Sequence, residues 1–110
     1  MRLPPDTVLL CGAEPPPELA AVWAQERLAV LPLPAPERLE AALEALGTTT
    51  VVVVGDGAAE AAALGFRVFW LGPDPAPDGV RAVSLAETLA AARLARARER
   101  WKAARRPASG

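Results

Sequence analysis

The stretch Thr48-Thr-Thr-Val-Val-Val-Val54-Gly55-Asp56-Gly57 decides the fold. Seven consecutive β-branched residues favour an extended chain, because branching at Cβ restricts χ1 in a helix and packs well on a pleated surface. The four valines have no polar side between them, so the strand is read as buried on both faces, as in a parallel sheet covered by helices. Gly55-Asp56-Gly57 breaks the run, and the chain up to Leu64 then reads as a short Ala-rich helix stopped by Gly65.

The same alternation extends both ways from this strand. Upstream, Pro36 opens a helix in which Leu39, Leu43 and Leu46 recur at i, i+4 and i+7, and Gly47 supplies its stop. Before it, Leu28 to Leu33 reads as a strand closed by Pro32 and Pro34. Pro15-Pro16-Pro17 opens a further helix with Leu19, Val22 and Trp23 on one stripe, and Thr7 to Cys11 is a first apolar strand ending at Gly12. Downstream, Phe66 to Leu71 reads as a strand, Gly72 to Gly79 as a loop and Val80 to Val83 as a brief strand. Ser84-Leu-Ala-Glu87 is a capping box that starts the last helix. This predicts the α/β class: a single Rossmann-like three-layer domain with a parallel sheet of four or five strands. Its expected extent is 1–92, followed over 93–110 by a basic helical extension whose end, Arg105 to Gly110, frays.

Composition excludes several classes of function. At 52% hydrophobic and 23% charged residues, the 110-residue chain can bury a core and is not a disordered tail. No apolar run is long enough to span a membrane. One Cys and a start unlike a signal peptide lead to an expected cytoplasmic location. The absence of His removes His-based general-base catalysis and, with a single Cys, nearly all zinc chemistry. Eleven Arg to one Lys, twelve Pro and no Asn suggest a GC-rich genome and are thermophile-like.

Charge is divided unevenly along the chain. Residues 1–92 hold five Arg against twelve Asp and Glu, a net −7, whereas 93–110 hold six Arg and Lys102 against Glu99, a net +6. An acidic body with a basic tail points to an anionic partner or to self-association, although cations near a helix C-terminus also follow from the macrodipole alone. A body at −7 opposes a nucleic-acid phosphate backbone. On a helical wheel Leu85, Leu89 and Ala92 share the face that should pack on the sheet, and Arg93, Arg96 and Arg100 continue it. Leu94, Ala97 and Trp101 lie opposite, a second apolar stripe suited to an interface. A homodimer is the expected assembly.

Ligands of open parallel sheets bind beyond the carboxyl ends of the strands. Here Gly12, Gly55, Asp56 and Gly57 are the expected binding residues, with glycine N–H groups near a helix N-terminus suited to a small anion. Glu14, Asp56 and Glu60 could converge on Mg²⁺, the one cofactor the sequence suggests. The plainer alternative makes the glycines a tight turn, Asp56 a helix cap and both Glu solvated. Gly55 to Glu60 is also a dinucleotide fingerprint with its third glycine replaced by Glu60, ahead of a helix too short for a dinucleotide crossover. Cys11 has no His to activate it, and a Cys-based phosphatase loop would need Arg where Pro17 stands, so it reads as a core residue.

Leu33-Pro34-Ala35-Pro36-Glu37, Val51-Val-Val-Val-Gly-Asp56, Ala61-Ala-Ala-Leu-Gly65, Val68-Phe-Trp-Leu71 and Ser84-Leu-Ala-Glu-Thr-Leu89 stand in a telling order. That order resembles the haloacid dehalogenase-like hydrolase superfamily, in the part of its core C-terminal to the cap. The resemblance makes Thr7 to Glu14 the first strand and its following loop. It places the nucleophilic Asp of the family at Gly12, the acid/base Asp at Glu14, and the stabilising Lys at Leu33. It puts a magnesium-binding acid at Asp56, with Glu60 a shifted substitute for the next one. Glycine cannot attack a phosphate and leucine cannot neutralise it, so the resemblance implies a member without the chemistry. The expected function is a non-catalytic binding or interaction protein self-associating through its C-terminal helix, with no residue assigned as catalytic. The alternative is a minimal Mg²⁺-dependent phosphatase working around Glu14 and Asp56.

Overall fold

The computed structural model describes residues 2–72, 76–95, 97 and 101. Its elements are β1 (Val8–Cys11), α1 (Pro17–Gln25), β2 (Ala29–Pro32), α2 (Pro36–Leu46), β3 (Thr50–Val54), α3 (Ala58–Ala63), β4 (Arg67–Leu71), β5 (Arg81–Ala82) and α4 (Leu85–Ala95). All five strands are parallel, in the order β2-β1-β3-β4-β5. This is a Rossmann-like α/β domain with the strand order of doubly wound sheets that reverse direction between β1 and β3.

The valine run is the centre of the sheet. Every residue of β3 is buried, with Val51 opposite Val8 on one side and Val68 on the other. Side-chain alternation divides these residues between two cores. Leu9, Val52, Val54 and Phe69 face α1 and α4, where Trp23, Leu19 and Ala92 cover them. Val8, Leu10, Val51, Val53 and Val68 face α2 and α3, under Leu39, Leu43, Ala58 and Ala61. These are the three layers anticipated from the sequence.

Strand ends are set by local hydrogen bonds. Thr48 and Thr7, both read as strand, lie outside it. The Thr48 hydroxyl bonds the carbonyl of Thr50 at 2.8 Å, and the Thr7 hydroxyl donates to Pro4. Such side-chain bonds offer the backbone an alternative to the ladder. The Ser84 cap forms, with the Glu87 N–H donating to Ser84 Oγ at 3.1 Å and the Ser84 hydroxyl donating to the Glu87 carboxylate at 3.3 Å. Gly47 caps α2 in the left-handed region at φ +69°. Leu46, expected on the inner stripe of α2, is largely exposed because it is the helix's last residue, past Leu39 and Leu43 on the sheet.

The inner face of α4 is turned slightly from the expected leucine line. Thr88, Ala91 and Ala92 are buried, while Leu85 and Leu89 flank the core half-buried. Thr88 can be buried because its hydroxyl donates to the Ser84 carbonyl at 2.8 Å. The free edge of β2 is blunted. Leu33 N–H donates to Cys11 O, so alternation turns Pro32 outward, where it offers no donor to another strand. Ala97 and Trp101 are helical beyond α4, and the remaining positions of the 93–110 extension, Arg93 to Ala95 apart, lie outside the described residues. Among the described residues no helix is long and apolar enough to cross a membrane.

Candidate functional site

The order reversal between β1 and β3 is where such a sheet ordinarily opens a crevice. Here two loops meet across it. Gly12 N–H donates to the Val54 carbonyl at 2.8 Å. A Cβ on Gly12 would fall on the Asp56 carbonyl and within 2.7 Å of its nitrogen, and one on Gly55 would lie 2.7 Å from the Ala13 Cβ. The loop after β1 therefore rests backbone to backbone on the turn after β3. Gly57 holds φ +106°, and Leu33 packs on the side where a Cβ would stand. Trp70 closes the far side by donating its indole N–H to the Gly55 carbonyl at 2.9 Å.

The structure thus brings together Gly12, Gly55, Asp56 and Gly57, but it uses the glycines for close approach. The Gly12 N–H expected for an anion is already bonded to Val54. The neighbouring helix starts each lack one donor, because Pro17 and Pro36 occupy the first turns of α1 and α2. Asp56 does not cap α3. Its N-cap is Gly57, with no side-chain cap bond, since the left-handed turn puts the glycine at that position. Glu14, Asp56 and Glu60 are exposed, and among the described residues no three acidic or thiol groups converge as a metal site would require.

The carboxyl end of the strands is instead predominantly acidic. Each helix starts there with an acid in its first turn: Glu18, Glu37, Glu60 and Glu87. Glu14 and Asp56 add two more, and Arg38 is the one cation at that end among the described residues. Each acid is individually favoured by its helix dipole, yet together they repel anions. Between the β2–α2 and β3–α3 loops lies a pocket of about 70 Å³ lined by Leu33, Pro34, Pro36, Leu39, Asp56, Gly57 and Glu60. It is far smaller than a nucleotide site.

Cys11 is half-buried against the α1/α4 core, and burial pushes its thiol pKa up, the opposite of what a nucleophile needs. Sequence reading gave no role to Trp70. The available signal was an indole in a strand two residues before Gly72, where a Cβ would collide with the ring. It also passed over Arg67 and Arg81, which stand 4.9 and 5.9 Å from the centroid of the buried Phe69 ring and cover it by cation–π contact. At the other end of the molecule, Leu94 is 69% and Trp101 58% exposed, and Ala97 is half-buried. Comparison with family models, curated proteins and solved structures finds no match to this chain.

Proposed function

We propose that this chain is a non-catalytic interaction protein with a haloacid dehalogenase-like core, self-associating as a dimer through the outer face of its last helix. The observation that carries the reading is the exposure of Leu94 and Trp101 on the side of that helix opposite buried Thr88, Ala91 and Ala92. Burying Leu94 and Trp101 against a second copy would contribute about 1.5–3 kcal/mol each before the cost of association. A second copy is the occupant that charge favours, because the −7 body complements a +6 tail. The blunted β2 edge makes strand-to-strand pairing a poor rival.

The likeness to the superfamily is supported by two neighbouring contacts, Gly12 against Asp56 and Leu33 against Gly57. Hydrolysis is disfavoured by the same contact: any nucleophile at position 12 needs a Cβ where the Asp56 backbone lies. In sedimentation equilibrium at micromolar concentration the chain should weigh twice 11.5 kDa. Trp101→Ala should shift it toward monomer more than any single Arg→Ala change in 93–106. A clean monomer contradicts the proposal. Turnover of a generic phosphomonoester with Mg²⁺, abolished by Asp56→Asn, would favour the phosphatase instead.

A further inference from the structure

The pocket at the carboxyl end of the strands combines two chemistries. Leu33, Pro36 and Leu39 give it apolar walls, and Asp56 and Glu60, both exposed, are acidic residues of the same lining. At about 70 Å³ it accepts the end of one side chain. An apolar stem ending in a cation fits such a lining, which is the form of arginine and lysine. The surrounding surface favours the same sign, since Glu14, Glu18, Glu37 and Glu87 share this end with Arg38 as the one cation among the described residues. In the chain itself, cations are concentrated in one place: Arg93 to Arg106 hold seven against Glu99.

We infer that this pocket is the docking site for an arginine or lysine side chain from the 93–106 segment of a second copy. The inference rests on the proposed self-association and names the surface it uses besides the helix stripe. The donor is the neighbour because α4, with 11 residues, runs about 16 Å away from the carboxyl end of its own sheet. Ala97 and Trp101 are still helical. If two such helices pack antiparallel about a two-fold axis, the tail of each runs toward the acidic end of the other. Arg105 and Arg106 lie four and five residues beyond Trp101, an extended reach of about 15 Å. Two reciprocal contacts then close the assembly without leaving an open, fibre-forming end.

The test is sedimentation equilibrium of the full chain at two salt concentrations, with Asp56→Asn combined with Glu60→Gln. Both residues are exposed, so the change spares the core. The dimer dissociation constant should rise about tenfold at low salt, and its salt dependence should shrink. Asp56→Arg with Glu60→Arg should associate poorly alone but pair with a copy carrying Arg105→Glu and Arg106→Glu. A wild-type dimer whose constant and salt slope are unchanged by the neutral pair overturns the pocket assignment and leaves the helix stripe standing. A chain that stays monomeric overturns both. Rescue of the charge-reversed pair by the tail-reversed copy is the result that only pocket docking predicts.

Discussion

At the carboxyl end of the strands two loops meet backbone to backbone, Gly12 against Asp56 and Gly55 against Ala13. At the far end, the last helix leaves Leu94 and Trp101 largely exposed while Ala92 and Ala95 meet its own core. The first region is the usual address of ligands in this architecture, and here backbone fills the crevice between β1 and β3 and leaves only a small pocket beside it among acidic residues. The second is usually an unremarked helix end, and here it holds the apolar surface. Position in a fold therefore says less about function than what the chain has done with the space.

The contrast can be broken at its closed end. Gly12→Asp places a side chain in the Asp56 backbone and should lower unfolding free energy by about 3 kcal/mol, read from the urea midpoint. A variant as stable as the parent would mean that the two loops separate readily and that the crevice is a real one. Trp70→Phe keeps an aromatic ring but gives up part of the indole's bulk together with the donor to the Gly55 carbonyl, with an expected loss of about 1.5 kcal/mol in the same assay. Ser84→Ala removes the acceptor for the Glu87 N–H and should cost about 1 kcal/mol. Against these, Leu94→Ala should change stability by no more than about 0.5 kcal/mol when measured dilute enough to be monomeric. A large loss there would show that Leu94 belongs to the fold rather than to an interface.

The smallest expected effect sits at Cys11, the last residue of β1 and the neighbour of Gly12. Burial raises its pKa, so the protonated thiol is the form the fold prefers. The stability it contributes is present below about pH 8.5, the value for a free thiol, and is lost as pH rises through the raised pKa of Cys11. Alkylation of the native protein should lag that of the urea-unfolded chain across this range. Equal rates would remove the burial argument.

The sheet was legible because its signal is local and redundant. Four valines in a row, prolines at two helix starts and a capping box each point to the same alternation. Element ends were less legible, since Thr7 and Thr48 look like strand residues until their hydroxyls are seen bonding Pro4 and Thr50. Around the candidate site, sequence placed Gly12, Gly55, Asp56 and Gly57 together and left open whether the glycines serve a ligand or a turn. A glycine that frees an N–H for a ligand and one that admits a neighbouring backbone look identical in one dimension. The acidic end was hidden for a related reason: Glu18, Glu37, Glu60 and Glu87 are spread over 70 residues, and only parallel crossovers gather them. Trp70 bridging to Gly55 required the β3–β4 pairing to be known.

The most direct test of the closed-end, open-helix account is amide hydrogen exchange of the full chain at low and high protein concentration. The Gly12 amide, bonded to Val54, should be protected at both. Amides from 93 to 101 should gain protection as concentration rises, in step with the appearance of dimer. Exchange that is identical at both concentrations, or a Gly12 amide as labile as an open loop, would contradict it.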